Sequence, residues 1–251
     1  TDFIRRVYLD LTARIPTPEE VREFVASTDS DKRDKLVDSL IGSKSYLARW
    51  TYWFGDLSRT NGNRVGNEGK NLYYRWVYDA LQINTPYNKM VSDMLTAKAV
   101  SNWYVGPASY LARWVIIGAT CVDTVHEDTS DEIAVWTAMH FLGLNVQCIS
   151  CHDGRRHLEK VNLWLTEQKR SEFWQEAAFF GKTRVLRRTE VSTAQDEYSI
   201  DDEGPGYSAS GESVQRVPRG GEGMVEPAFI LTGERPDPDK NPREEFARMI
   251  T

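Results

Sequence analysis

Apolar residues in the first hundred positions recur mostly three and four residues apart, which is the spacing of one helical face. At Thr17, the sequence Thr-Pro-Glu-Glu has the usual composition of a helix N-terminus. The pattern predicts helices in the opening residues and at 17–25, 31–41, 45–58, 71–81 and 87–96, with a Gly- and Asn-rich loop at 61–69.

The pattern changes after about residue 183. Residues 184–191 are rich in β-branched side chains and predict a strand, and 229–232 is a second short candidate. Between them, 201–223 is rich in Gly, Ser and acidic residues, which indicates mobile connections. We expect the acidic pair at 201–202 to lie in a solvated loop and the Gly-rich run 218–223 to be a turn.

These patterns predict a mainly α fold, a helical bundle with a small loop-rich β subregion at its C-terminal end. We expect residues 1–182 to form the helical domain and 183–242 to be a small β/loop subregion of that domain. Residues 243–251 have the pattern of a helix that has only just begun, which we interpret as the start of a further domain.

Composition excludes several classes of protein. Of 251 residues, 40% are hydrophobic, which is enough to build a core and rules out a wholly disordered chain. No apolar run approaches the length of a membrane-spanning helix. The formal net charge of -6 disfavours a nucleic-acid partner.

One segment carries most of the candidate chemistry. Residues 148–152 read Cys-Ile-Ser-Cys-His, the attachment signature of c-type haem. Cys148 and Cys151 are spaced to bond the two vinyl groups of one porphyrin edge, and His152 follows directly as the proximal axial ligand. The motif therefore predicts one covalent haem c, with the helical bundle built around it.

Three other interpretations of the cysteines stay open. A thioredoxin-like pair would follow a strand and begin a helix. A structural zinc site needs four ligands, and His157 is available as a third or fourth. Two buried thiols without any function are the remaining alternative. The third cysteine, Cys121, has no cysteine partner if haem takes the other two, and we expect a buried free thiol there.

The haem hypothesis assigns further residues. Arg155 and Arg156 are candidate partners of the haem propionates, with a solvated surface as the equal alternative. For the distal iron ligand the candidates are His140 and His157, although the short tether of His157 works against it. A five-coordinate iron, typical of small-molecule chemistry, is also open.

Several segments together resemble a known family. Residues 3–21 (FIRRVYLDLTARIPTPEEV), 141–144 (FLGL), 148–154 (CISCHDG), 157–159 (HLE) and 177–180 (AAFF) occur in the order typical of the cytochrome c domain found in planctomycetes and acidobacteria. The resemblance implies haem c and secretion, but no known reaction. Residues 243–251 (REEFARMIT) resemble the first turns of the conserved domain that usually follows.

The resemblance has one departure at the haem motif. The commoner branch of the family carries a second histidine two residues after the haem histidine, where this chain has Gly154. The sequence is similar instead to a branch with the pattern Cys-His-x-Gly-x-x-His-Leu-Glu. That likeness implies a haem-side role for His157.

We therefore expect an extracytoplasmic monohaem c-type cytochrome that transfers single electrons, more an electron carrier than an enzyme. Its expected location is the periplasm or the extracellular space. The expected partner is a redox protein or a membrane-associated electron-transfer complex, and the acidic balance favours a partner with a basic face. One alternative is a haem-dependent redox enzyme with an open or exchangeable iron site, or a haem domain that feeds electrons to a catalytic domain beyond residue 251. A second alternative is a structural haem-bearing subunit of an electron-transfer assembly.

Overall fold

A computed structural model describes residues 1–118, 124–188 and 196–251. The chain is mainly helical, with 51% of residues in helix and a small two-stranded antiparallel sheet. Its contacts divide it into two compact units, residues 1–57 with 74–85 and residues 58–73 with 86–251. The α-helices are α1 (Asp2–Thr12), α2 (Pro18–Ala26), α3 (Lys32–Leu40), α4 (Lys44–Leu57), α5 (Gly62–Gln82), α6 (Tyr87–Thr96), α7 (Ala108–Ala112), α8 (His126–Thr137), α9 (Leu163–Glu167), α10 (Arg170–Ala178) and α11 (Pro242–Ile250).

The first unit confirms the helical periodicity of the N-terminal sequence. Thr17 caps α2 in a capping box: its side chain accepts from the backbone N–H of Glu20, whose carboxylate accepts from the backbone N–H of Thr17. Helix α1 packs against α3 and α4, with Ile4 and Leu47 buried. Each helix is short, so its stability comes mainly from burial of the apolar face.

The loop predicted at 61–69 is wrong, because α5 begins at Gly62 and continues through this segment. The helix is interrupted at Gly66, whose φ of 72° and ψ of 159° are not helical. A Cβ atom there would lie 2.5 Å from Nε1 of the Trp103 indole. The same indole nitrogen and the amide of Asn102 both donate to the carbonyl of Val65, so distant residues order a segment of loop-like composition.

In the second unit, the strand predicted at 184–191 is confirmed for Arg184–Arg187, whereas 189–191 lie outside the described residues. Its partner strand is Tyr198–Asp201, with Val185 opposite Ile200. Ile200 also pairs with Ala99, which ties the sheet to the segment after α6. The strand predicted at 229–232 is wrong: those residues form a turn closed by hydrogen bonds to the carbonyl of Phe229, whose ring packs on Phe246.

The C-terminal helix α11 packs inside the second unit. Phe246 lies against the rings of Phe179 and Phe180, and Asn241 caps the helix at its start. Arg243 is buried and donates to the carbonyls of Leu95 and Ala97 and to the carboxylate of Asp202. The acidic pair at 201–202 is therefore not simply solvated: Asp201 binds Arg184, and Asp202 binds Arg243 and Lys98.

Helix α10 carries a carboxylic acid in the core of the second unit. Glu176 is fully buried, and its Oε2 atom accepts from the backbone N–H of Ile230 at 2.9 Å. Its Oε1 atom has no hydrogen-bond partner. Burial raises the pKa of Glu176 to about 8, and the single N–H donor opposes that rise only in part.

We predict that Glu176→Gln removes a pH dependence of stability. The pKa of Glu176 is raised to about 8 in the folded chain. The contribution of its neutral carboxylic acid to the free energy of unfolding is therefore fully present below the unfolded pKa and is lost as the pH rises towards 8. The variant should be more stable than the parent at pH 8 by several kcal/mol, at about 1.4 kcal/mol per unit of pKa difference. Urea unfolding at pH 5 and pH 8 measures this, and equal pH dependence in both proteins would contradict it.

Candidate functional site

The two cysteines of the motif lie at the two ends of a single short turn. Cys148–Ser150 form a 3₁₀ turn, and the backbone N–H of Cys151 donates to the carbonyl of Cys148 at 3.2 Å. In such a turn residues three apart lie on the same side, so both thiols leave the turn in one direction. Cys148 is exposed and Cys151 is half-buried, and neither is in a disulfide.

His152 follows on the exposed side of the turn. Its Nδ1 atom lies 2.7 Å from the carbonyl oxygen of Asp153, and because a carbonyl only accepts, Nδ1 carries the proton. The lone pair is therefore on Nε2, and no described residue binds that atom. A backbone carbonyl on the second ring nitrogen is the usual support of a metal-ligating histidine. The donor set Cys148, Cys151 and His152 thus fits a covalently attached haem.

The departure at Gly154 has a steric explanation. Gly154 is buried and its N–H donates to the carbonyl of Gln168 at 2.9 Å. A Cβ atom at this position would lie 1.8 Å from the carbonyl oxygen of Leu165. The histidine that the commoner branch carries here has no room in this chain, because α9 approaches the turn too closely.

His157 lies beside His152. The two ring centroids are 4.7 Å apart, and both side chains are exposed. Two imidazoles on opposite faces of one metal ion, with bonds of about 2 Å, have ring centroids about 6 Å apart. Arg155 and Arg156 are exposed, and neither guanidinium binds any described residue. This edge of the turn therefore presents two histidines and two cations without a described partner to solvent.

Two arginines hold Ser150, one of the two residues between the cysteines. Nε of Arg170 donates to the Ser150 carbonyl at 3.1 Å, and Nε of Arg216 donates to its hydroxyl oxygen at 2.9 Å. Arg170 also donates to the carbonyls of Val217 and Pro218. The turn is therefore fixed from two sides by distant parts of the chain. Nothing in the local sequence indicated these two residues.

A buried ion network lies beneath Arg216. Arg219 donates to Asp128 at 2.9 Å and to Asp131 at 2.5 Å, and all three side chains are buried. Tyr207 donates to the second oxygen of Asp131. The Gly-rich run 218–223, predicted to be a turn, therefore contributes a core residue. The mobile connection predicted across 201–223 is fixed here by the network.

The two aspartates differ in acidity. Burial disfavours the charge of Asp128, but N–H donors from Gln215 and Val214 and the nearby Arg219 outweigh it, so the pKa is lowered. Burial raises the pKa of Asp131 to about 6, and the attraction of Arg219 only partly offsets it. Both carboxylates need Arg219 to compensate their negative charge, because a buried carboxylate without a cation is destabilising.

His140 lies in an aromatic cluster rather than at the turn. It belongs to a π-helical turn (Ala138–Leu142), and its Nδ1 atom is 3.2 Å from the Tyr110 hydroxyl. The rings of Trp114 and Trp136 lie 5.8 Å and 5.5 Å from its own. Burial, followed by the charge of Arg59, lowers the pKa of His140 to about 4, so the ring is neutral near pH 7.

The described part of the chain bears on the alternative interpretations. The element before the motif is the π-helical turn, which is unlike the strand of a thioredoxin-like site. Among the described residues no group of three or more His, Cys, Asp or Glu is arranged to hold a metal ion. Cys121, predicted to be a buried thiol, lies outside the described residues. No helix in the described ranges is long and apolar enough to cross a membrane.

We predict that Gly154→Ala destabilises the chain by about 3 kcal/mol, because the added Cβ would displace the Leu165 backbone and break the hydrogen bond to Gln168. Gly143→Ala is the matched control, since its Cβ meets nothing within 4 Å and its φ of 67° is the only strain. The control should cost about 1 kcal/mol. Urea unfolding compares the two, and equal losses would refute the steric explanation.

Comparison with known proteins leaves one match. No curated protein matches the chain. No solved structure does so either. A family model described as PSCyt2, protein of unknown function (DUF1549), matches residues 1–185. The match covers well over half of the chain and includes the motif at 148–152, and so the chain belongs to the PSCyt2 (DUF1549) family of cytochrome-c-like domains of unknown function.

Proposed function

We propose that the chain is a monohaem c-type cytochrome domain that transfers single electrons. One observation carries the proposal: an exposed and a half-buried cysteine lie at the two ends of one 3₁₀ turn, and the next residue is a histidine whose Nε2 atom binds no described residue. In this proposal Cys148 and Cys151 form the thioether bonds and His152 is the proximal ligand. The haem, when bound, supplies the reversible one-electron change of its iron.

The surface around the turn supports a porphyrin better than a zinc ion or a disulfide. Val161 and Leu163, on the segment that returns to Gly154, are 73% and 77% exposed. Exposed apolar side chains in the segment that follows the motif make a surface that a flat apolar ring would cover. Arg155 and Arg156 provide unpaired guanidinium groups within the same segment, which suits carboxylate groups such as the propionates.

The chain's own residues would contribute position and charge. Arg170 and Arg216 fix Ser150 and thereby hold the spacing and direction of the two thiols. The Asp153 carbonyl orients His152.

The location and partner belong to the same proposal. Covalent haem attachment of this type takes place after export, so we propose a periplasmic or extracellular protein. Its partner would be a redox protein or a membrane-associated electron-transfer complex. An open-iron enzyme and a structural haem subunit stay as alternatives, and no specific contact in the described residues favours either one.

Covalent haem should be found on the chain after co-expression, through an export signal, with a cytochrome c maturation system. We expect a haem stain that survives denaturing electrophoresis and a pyridine haemochrome spectrum typical of two thioether bonds. Cys148→Ser with Cys151→Ser should abolish the stain, whereas Cys121→Ser, the matched control, should retain it. A parent chain that stays unstained although a known cytochrome matures in the same cells would overturn the proposal.

The position of His157 gives a separate prediction for the haem-loaded chain. Because its ring lies beside His152, we expect His157→Ala to leave the iron spin state unchanged. His140→Ala is the comparison, and a change to a high-spin spectrum there alone would identify His140 as the distal ligand. Visible spectra before and after addition of cyanide measure this. A high-spin spectrum in the His157 variant would contradict the geometry.

A further inference from the structure

A second cluster of arginines in the same unit has no acidic partner. Arg59, Arg64 and Arg113 make no ion pair with any described residue, and this chain is acidic overall. By contrast, Arg216 and Arg219 are each paired with carboxylates. Three neighbouring cations without anions repel one another unless a ligand balances them.

The backbone carbonyl of Arg59 holds the guanidinium of Arg113. Nε of Arg113 donates to the carbonyl of Arg59 at 2.7 Å, and the side chain of Asn61 donates to the same oxygen at 3.0 Å. Arg64 reaches the adjacent segment through a hydrogen bond to the carbonyl of Val115. The terminal nitrogens of Arg59 and Arg113 donate to no described residue. Both forks are therefore available to a ligand.

The aromatic cluster provides a rigid base for these groups. The guanidinium of Arg59 lies 3.9 Å from the ring centroid of Trp136, and that of Arg113 lies 4.8 Å from Trp114. The two indoles are stacked, with centroids 4.7 Å apart and planes 11° from parallel. Stacking on an indole holds a guanidinium plane in place, which lowers the entropy lost when it binds a planar anion.

Among the described residues, the carboxylate that acts on the charge of Arg113 is Glu132, and it is already engaged. Glu132 accepts from Nε1 of Trp136 at 2.9 Å and from Arg216 at 2.7 Å. Burial, followed by the positive charges of Arg64 and Arg59, lowers the pKa of Arg113 to about 10. The described titratable groups that act on Arg113 are thus two arginines, a tyrosine (Tyr198) and a carboxylate that is bound elsewhere.

We propose that Arg59 and Arg113, with Arg64 beside them, form a binding site for an oxyanion of the carboxylate or phosphate class, seated on the Trp114–Trp136 stack. A guanidinium fork and a carboxylate or phosphate form two parallel charge-assisted hydrogen bonds. The site does not depend on the proposed cytochrome function. Its natural ligand is either a free oxyanion or a carboxylate of the haem propionates, and these two sources can be separated.

Calorimetric titration of succinate and of inorganic phosphate into the haem-free chain, at low ionic strength, tests the site. We expect saturable binding that weakens about tenfold in Arg59→Gln and in Arg113→Gln, as expected for loss of a charge-assisted pair. Arg6→Gln, which removes an exposed arginine from the other unit, should bind as the parent does. Circular dichroism checks that each variant is folded, and potassium chloride at the same ionic strength controls for screening.

Absence of saturable binding, or parental affinity in both Arg59→Gln and Arg113→Gln, would overturn the site. Arg113→Lys gives a further check, because it keeps the charge but loses the fork, and should recover only part of the affinity. Repeating the titration on haem-loaded chain identifies the source. Binding that is lost there assigns the site to a propionate, and binding that is retained assigns it to a free oxyanion. If no haem can be attached, the haem-free titration still decides the proposal.

Discussion

The pairing of Arg219 with Asp128 and Asp131 is the contact on which the candidate site depends. A buried cation is stable only when its charge is compensated, and here two carboxylates and a tyrosine hydroxyl surround it. The network fixes the loop before Arg219 against helix α8. From that loop Arg216 reaches the hydroxyl of Ser150, so a buried ion network sets the position of the three-residue turn that carries the exposed Cys148.

This dependence explains why the motif needs so much surrounding chain. The 3₁₀ turn has few hydrogen bonds of its own, and an isolated turn of that length is not stable in water. Arg170 and Arg216 come from 20 and 66 residues away and bind the carbonyl and hydroxyl of the same serine. Close approach of α9 at Gly154 removes the remaining freedom on the far side.

Sequence reasoning found what is local and missed what is distant. Helical periodicity predicted most helices of the first half, and the spacing of Cys148, Cys151 and His152 defined the candidate site without any structure. The failures share a cause. Composition indicated a loop at 61–69, but Asn102 orders that segment through a hydrogen bond to a distant part of the chain. Composition likewise indicated a mobile stretch at 201–223, which Asp128 orders in the same way. No periodic pattern encodes a partner 37 or 86 positions away.

Net charge was a poor guide to the local field for the same reason. An excess of six acidic residues favours a basic partner for the whole molecule, yet Arg59, Arg64 and Arg113 lie together without an ion pair to any described residue. Arginines in the second unit are therefore of two kinds. The first kind, Arg216 and Arg219, is neutralised internally by carboxylates and supports the structure. The other kind has no anionic partner in the part of the chain that the structure describes, and a charge of this kind next to a rigid aromatic base is available for recognition.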